Sequence, residues 1–285
     1  MRKHFCSLLI AFSSFAVAQQ SSLTFLRADP AIVQQRLTPV PSTQNDRIEK
    51  LRKQFLAAKV YGPVQVQEQL VPGQTEPNLI CTLQGSGDST IVLAVNTVSN
   101  GRGEEARVNW ATLEMLPLLV ESVAGFASRH TLVFVAFSGE KGKHSGGTFY
   151  LDQLSKDQRR KIDAMIELDH IGRVAPSYAP QSNGYVLAKR LRLAAFTLQF
   201  EIPQVFLYPN GSVLGSGPIG DAFEKAKIPA ITIYSQYHYD LPQNALSGIS
   251  PEVHEFDIDP KSYYDTYVLL SAYLRQIDQD WSLRR

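Results

Sequence analysis

Two kinds of apolar pattern divide the chain into predicted strands and helices. Short apolar or alternating runs predict strands, because a strand within a covered sheet buries both of its faces. These runs cover residues 64–70, 78–83, 90–95, 132–137, 162–168, 204–208 and 230–234. Apolar residues at helical spacing predict helices instead. They cover residues 45–60, 108–126, 147–154, 186–200, 220–226 and 260–277.

Strands and helices alternate through most of the chain. This alternation predicts an α/β fold, a three-layer α/β/α sandwich with a mostly parallel central sheet. Pro117 falls inside the pattern at 108–126, where it is expected to kink the helix or to mark a late start. With neither repeats nor a linker in the sequence, residues 45–285 are interpreted as one domain, preceded by a Pro-punctuated segment at 19–44 that wraps the surface.

The first eighteen residues have the order of a secretory signal. Arg2 and Lys3 precede an apolar run at 5–17, and Ala16-Val17-Ala18 has the small-x-small form of a cleavage site. The run is too short to span a bilayer, so no membrane association is expected after cleavage. The alternative, a buried N-terminal helix, is the weaker one. We therefore expect a secreted or periplasmic protein.

The net charge and the cysteine content indicate which partners and which covalent cross-links to expect. The formal net charge is +1, which does not favour nucleic acid as a partner. Removal of residues 1–18 takes Cys6 with it and leaves Cys81 alone, so no internal disulfide is expected.

Polar residues follow several of the predicted buried strands. Asn96 ends one strand, Glu140 and Lys141 come shortly after Phe137, and Asp169 follows Leu168. Carboxyl ends of parallel strands meet at one edge of a sheet, which is where open α/β sheets bind ligands. Such convergence suits a hydrolytic metal site, where carboxylates and histidines hold the metal and a further carboxylate activates water.

The chain resembles the co-catalytic zinc aminopeptidases, metallopeptidase family 28 of clan MH, which include leucyl aminopeptidases and glutaminyl cyclases. The resemblance extends from about residue 45 to the C-terminus. It is carried, in order, by the phrases NLICTLQGSGDSTIVLAVNTVS, TLVFVAFSGEKGKHSGGTFY, IDAMIELDHIG and DAFEKAKIPAITI and by the closing helix after DIDP.

The resemblance implies a degenerate metal site. The family's His ligand and its orienting Asp are replaced by Asn96 and Val98, and the carboxylate ligand that follows the general base is replaced by Lys141. An ammonium donates hydrogen bonds and cannot bind a cation. Glu140 matches the general base itself, and Lys141 is expected to pair with Glu140 or Asp169.

Other positions match possible ligands of the family's site. Asp169 matches a retained ligand, and Glu105, or alternatively Glu104, falls near the place of the bridging carboxylate. The last ligand is His238, or alternatively His254. Tyr237 and Tyr239 beside His238 are candidates for the substrate cleft. His170 is interpreted as a packing residue, since neighbours on a strand point to opposite faces.

Three functions follow, in decreasing order of support. The first is a secreted domain of this family that is non-catalytic or residually active, needs no cofactor, and binds a peptide or protein or acts as a scaffold. The second is an active exopeptidase with one zinc ion held by Glu105, Asp169 and His238, and with Glu140 as base. The third, a serine hydrolase, lacks a Gly-x-Ser-x-Gly elbow.

Overall fold

The computed structural model describes residues 25–58, 64–97, 104–139, 145–204, 218–235 and 258–280. Its helices are α1 (Pro30–Arg36), α2 (Gln44–Ala57), α3 (Glu104–Val123), α4 (Gly146–Gln153), α5 (Lys156–Arg160), α6 (Tyr185–Thr197), α7 (Pro218–Lys225) and α8 (Pro260–Asp278). Its strands are β1 (Val64–Gln69), β2 (Asn78–Leu83), β3 (Thr90–Asn96), β4 (Thr131–Phe137), β5 (Ile162–Asp169), β6 (Ser177–Pro180) and β7 (Ala230–Tyr234).

The strands form one sheet in the order β1-β2-β4-β3-β5-β7-β6. Strands β4, β3, β5 and β7 are parallel and occupy the centre, while β1, β2 and β6 run antiparallel to their neighbours. The central strands are apolar on both faces because helices cover both faces. The predicted α/β/α sandwich with a mostly parallel sheet is confirmed, and its carboxyl edge gathers the ends of β3, β4, β5 and β7.

Each face of the sheet has its own core. On one face, side chains of α2, α3, α6 and α8 pack with alternate residues of the strands, such as Leu93 and Phe134. On the other face, α4 and α7 pack against the remaining strand residues, and Phe137, Tyr150 and Phe223 form an aromatic cluster there. The face with α4 and α7 is the one toward which Asn96 and Asp169 point, since Ala94 and Glu167, two positions earlier, face it.

Helix α3 differs from the sequence prediction. It begins at Glu104 and continues through Pro117, so the late start is wrong. Proline removes one backbone hydrogen bond from a helix. The residues from Trp110 to Val120 are almost completely buried, and this burial offsets the loss.

Three short elements were not predicted. Helices α1 and α5 are too short to show a helical stripe, and β6 is only four residues long, contains Pro180 and lies at the edge of the sheet. Proline is tolerated at a sheet edge because no ladder hydrogen bond is required there. Of the predicted strand at 204–208, Gln204 forms an isolated bridge with Tyr178, and 205–208 lie outside the described residues.

A buried charged cluster, the His130 cluster, joins α8 to the amino edge of the sheet. His130 Nδ1 lies 3.0 Å from the carbonyl oxygen of Asp278, and Nε2 lies 3.5 Å from Asp163 Oδ2. Asp278 Oδ1 accepts hydrogen bonds from the backbone N–H groups of Arg129 and His130. Asp278 Oδ2 accepts one from Arg275 Nη1 at 3.2 Å. Each buried charge of the cluster therefore faces an opposite one.

Because of the His130 cluster, the free energy of unfolding is expected to fall as the pH rises into the alkaline range. Burial of the His130 ring lowers its pKa, but the bonds with Asp163 and Asp278 outweigh burial and raise the pKa to about 9. Because this value lies above that of the unfolded chain, the stabilisation is complete below about pH 6.5 and is lost as the pH rises through 9. At low pH the unfolding free energy of wild type should exceed that of His130→Asn. Urea unfolding should show this difference becoming smaller as the pH rises across this window. A gap that is constant from pH 6 to pH 10 would contradict a charged His130.

None of the helices in the described ranges is both long and apolar enough to cross a membrane. The predicted signal segment at 1–18 lies outside those ranges, and secretion stays a prediction.

Candidate functional site

Asn96 and Asp169 lie side by side at the carboxyl edge of the sheet. Val95 is in register with Leu168, so the residues that follow them, Asn96 and Asp169, end the two strands at the same level. Adjacent strands are about 4.8 Å apart. Side chains two positions earlier on these strands, at Ala94 and Glu167, point toward α4 and α7, and alternation sends Asn96 and Asp169 the same way. The structure thus brings together two of the predicted site residues.

The N-terminal part of α3 approaches the same edge. Asn109 Nδ2 donates a hydrogen bond of 3.1 Å to the backbone oxygen of Asn96, which fixes the second turn of α3 against the end of β3. Glu105 lies four residues earlier, on the same face of the helix, and is exposed. Glu105 is therefore near the site edge, and of the alternative, Glu104, the structure describes the backbone alone.

His170 pairs with Asp169 instead of packing on the opposite face of the strand. Its φ of 48° places it in the left-handed region, so the chain leaves the strand direction at this residue. His170 Nδ1 and Asp169 Oδ1 are 2.7 Å apart, and Nδ1 carries the proton because a carboxylate only accepts. Both side chains are about 40% exposed. The interpretation of His170 as a packing residue is wrong, because it assumed that the strand continues.

Glu167 is a buried acid that the sequence analysis missed. It lies two residues before Asp169, and its Oε2 accepts hydrogen bonds from the Gly220 N–H at 3.0 Å and the Thr232 hydroxyl at 3.2 Å. Burial, with a contribution from the charge of Asp169, raises the pKa of Glu167 to about 8. Glu167 links the first turn of α7 to β5. The signal available was an acid, Glu167, between the apolar residues Ile166 and Leu168 of the strand IDAMIELD.

A hydrogen bond joins the two residues that flank the segment carrying Glu140 and Lys141. The Gly146 N–H donates to the Ser138 carbonyl at 2.6 Å, so the chain leaves β4 and enters α4 at one point. At the exit, Gly139 has a φ of 70°, and an added Cβ would lie 2.5 Å from the Gln74 side chain. The positive φ favours glycine at 139, whereas the end of the flexible Gln74 side chain could move away from a Cβ.

The remaining predicted positions lie outside the described residues: Val98, Glu140, Lys141, Tyr237, His238, Tyr239 and His254. Within the described ranges, no three His, Cys, Asp or Glu side chains come together to bind a metal ion. The predicted ligand set Glu105, Asp169 and His238 therefore stays a prediction, as do the general base and the cleft tyrosines.

The model of peptidase family M28 matches residues 88–255, more than half of the chain. The chain belongs to peptidase family M28. The match includes the ends of β3, β4 and β5, where the site residues lie. The family resemblance seen in the sequence phrases is confirmed.

Solved structures of aminopeptidases have the same fold. The Legionella pneumophila LapA aminopeptidase matches with a TM-score of 0.66 and 12% identity, over 88% of this chain and 72% of that chain. BSAP, a zinc aminopeptidase from Bacillus subtilis, matches with a TM-score of 0.55 and 17% identity, over 70% of this chain. The M28 chain spans about half of BSAP, 49% of its length.

A glutaminyl cyclase is similar over a longer stretch. The enzyme from Tannerella forsythia matches with a TM-score of 0.58 and 14% identity, over 90% of this chain and 100% of that chain. The search of curated proteins found no match. At these identities, the structural likeness shows the fold alone.

The described donors at the edge do not fit a pair of zinc ions. Zinc binds histidine, cysteine and carboxylate ligands, and an amide such as Asn96 is a poor substitute. The neighbouring carboxylate, Asp169, is already bonded to His170. Asn96 and Asp169 as the structure places them do not make a zinc site, and the assignment of Asn96 to a ligand position stays a prediction.

Proposed function

We propose that this M28 chain is a secreted peptide-binding or scaffold domain whose two-metal centre is degenerate, and which is non-catalytic or residually active. The proposal combines the family membership with the residues at the ligand positions. Asn96, Val98 and Lys141 replace a histidine, an aspartate and a glutamate of the family's pattern. Each metal of a pair would lose one of its ligands.

The observation that carries the proposal is the position of Asn96. It ends β3 beside Asp169, on the same face of the sheet, which supports the proposal that it takes the place of a metal ligand. Its carboxamide has no charge to attract a cation, and its backbone is fixed by Asn109. The edge still presents half-exposed polar groups, Asp169 and His170, to a ligand. Peptide amides and termini offer hydrogen-bonding partners for both.

An active exopeptidase with one zinc ion is the second candidate. The retained Asp169 at the end of β5 and the exposed Glu105 at the start of α3 favour it, since both approach the same edge. His238 would be the third ligand and Glu140 the base. Zinc bound there would polarise a peptide carbonyl and activate water. The chain's own residues would then hold the metal and accept the proton at Glu140.

Chelation separates the two candidates. In the degenerate domain no metal binding energy is linked to folding, so the melting temperature of purified protein should not change when EDTA is added. Elemental analysis after dialysis should find zinc far below one equivalent. Calorimetric scans with EDTA, and then with excess zinc, provide the measurement.

Near-stoichiometric zinc that survives dialysis, or a melting temperature that falls with EDTA and recovers with zinc, would contradict the degenerate centre and favour the single-zinc enzyme. An Asp169→Asn variant serves as the matched control. It removes the carboxylate charge while keeping the shape, and it should abolish any zinc-dependent shift in melting temperature.

A further inference from the structure

Glu114 is a buried acid of α3 that the candidate site does not use. Its side chain is completely buried, and it faces Gln54 of α2. Gln54 Nε2 lies 2.7 Å from Glu114 Oε1 and 2.8 Å from Oε2, so one amide nitrogen donates to both carboxyl oxygens. Gln54 Oε1 is also buried, and it accepts no hydrogen bond within the described part of the chain. The contact between the two helices thus leaves one acceptor unsatisfied.

The surrounding helices direct charged and titratable groups toward this carboxyl, namely Lys50 of α2, Arg36 of α1, Glu121 of α3 and Tyr263 of α8. Both cations are engaged elsewhere. Lys50 donates to a backbone carbonyl and lies over the Trp110 ring, and Arg36 is paired with Glu121. The Tyr263 hydroxyl donates to a backbone carbonyl. A carboxylate at 114 is therefore a buried charge without an ion pair among the described residues, which is costly.

A protonated carboxyl satisfies this contact better than a carboxylate does. A carboxylic acid offers one donor and one acceptor, and an amide offers the same pair. A small rotation of the Gln54 amide places Oε1 opposite the carboxyl hydroxyl while Nε2 donates to the other oxygen, so that two hydrogen bonds join the helices. Burial, opposed by the bond with Gln54 and the charges of Lys50 and Arg36, raises the pKa of Glu114 to about 7, in agreement with this geometry.

Helix α2 also reaches the edge of the sheet where the candidate site lies. Gln44, its first residue, donates a hydrogen bond of 2.7 Å from Nε2 to the carbonyl oxygen of Thr97, the residue after Asn96. Asn109 of α3 bonds to the Asn96 carbonyl in the same way. The end of β3 is therefore bonded to both helices, and the acid and amide join these helices about three turns further along α2.

We propose that Glu114 and Gln54 form a pH-sensitive contact, the Glu114 contact, which holds α2 on α3 more firmly when the carboxyl is protonated and so makes the hold of α2 on the end of β3 depend on pH. Loss of the proton leaves a buried carboxylate with one donor, and opening of α2 lets water reach that charge. Because the pKa rises from 4.5 to about 7 on folding, the stabilisation is complete below about pH 4.5 and is lost as the pH rises through 7. This inference goes beyond the proposed function and is the same for either candidate.

Hydrogen exchange of the full chain gives a direct test. We expect the protection factors of the α2 amides to be at least about tenfold lower at pH 8 than at pH 5, because the open helix exposes a carboxyl with an ordinary pKa. Helix α6, which packs on α8, should change much less. Glu114→Gln keeps the shape and cannot titrate, so its α2 amides should change no more than those of α6. Glu114→Met, also neutral and of similar length, repeats the test if the glutamine variant does not fold.

The matched control is Glu49→Gln on α2 itself. The hydrogen bond of Glu49 with Arg52 lowers its pKa to about 2, so it stays charged at both pH values. This variant should keep the pH dependence of wild type. Equal changes of α2 and α6 in wild type, or a change of α2 that persists in Glu114→Gln, would overturn the Glu114 contact.

The Thr97 amide reports on the link to the site edge, because its N–H donates to the Phe137 carbonyl at the end of β4. Its protection should fall with that of α2 between pH 5 and pH 8, as followed by NMR. Gln44→Leu removes the bond to Thr97 and should abolish this dependence while α2 keeps its own. A Thr97 amide that does not follow α2 in wild type would overturn the link. None of these measurements uses a ligand, so a failure of the proposed function would not obscure them.

Discussion

The triple variant Asn96→His, Val98→Asp, Lys141→Glu is expected to bind zinc at least about a hundredfold more tightly than wild type. Residue 96 ends β3 beside Asp169, and both side chains point to the α4 and α7 face, so an imidazole introduced there lies next to a retained carboxylate. Glutamate at 141 replaces an ammonium that repels the cation. Aspartate at 98 would orient the new imidazole, and such partners typically change metal affinity 10–100-fold.

Competition with a chromophoric chelator would measure the zinc affinity of this variant. Zinc should also raise its melting temperature, because a ligand at about 100 times its Kd stabilises the folded state by about 2.7 kcal/mol. The matched control is Asn96→Gln, Val98→Asn, Lys141→Gln, which introduces similar volumes without ligand groups. Equal zinc affinity in the two triple variants would show that these three residues do not stand at the family's ligand positions.

Asp278→Ala is expected to destabilise the protein by about 3–5 kcal/mol, the range for breaking a buried ion pair by removal of one partner. The carboxylate accepts two backbone N–H groups at the start of β4 and a bond from buried Arg275. Alanine removes the acceptor of these three bonds in a buried region, and it removes one of the two carboxylates that face the His130 ring. Urea unfolding at pH 7 would measure the loss.

The chain offers a matched control on its surface. Asp157 is bonded to Arg160 at 3.1 Å with the same three-residue spacing as Arg275 and Asp278, but its side chain is 82% exposed. An exposed pair contributes about 0–1 kcal/mol, so Asp157→Ala should change stability little. If the two alanine variants lose similar stability, burial is not what gives the His130 cluster its strength.

The sheet was predictable because its central strands are covered on both faces and appear as continuous apolar runs, such as 132–137. The same physics explains the misses. The four-residue edge strand β6 is too short to show such a run, and the burial of α3 outweighs the local penalty of Pro117. The pattern therefore predicted the elements that are long enough to show a period and missed the shortest ones, α1, α5 and β6.

The site was predictable only in part. Asn96 and Asp169 could be placed together because strand ends converge in a parallel sheet. The bond between His170 and Asp169 depends on a left-handed residue after the strand, which the strand pattern does not show. Contacts across long sequence separations, such as those of Asn78 with Ser138 and of His130 with Asp278, have no periodic signal at all.

The hydrogen bond from the Gly146 N–H to the Ser138 carbonyl joins the end of β4 to the start of α4. A segment whose two ends meet at one point can change its length or its residues without moving the strand and the helix on either side. Grafting the corresponding segment of a zinc aminopeptidase between Ser138 and Gly146 should therefore leave β4 and α4 in place.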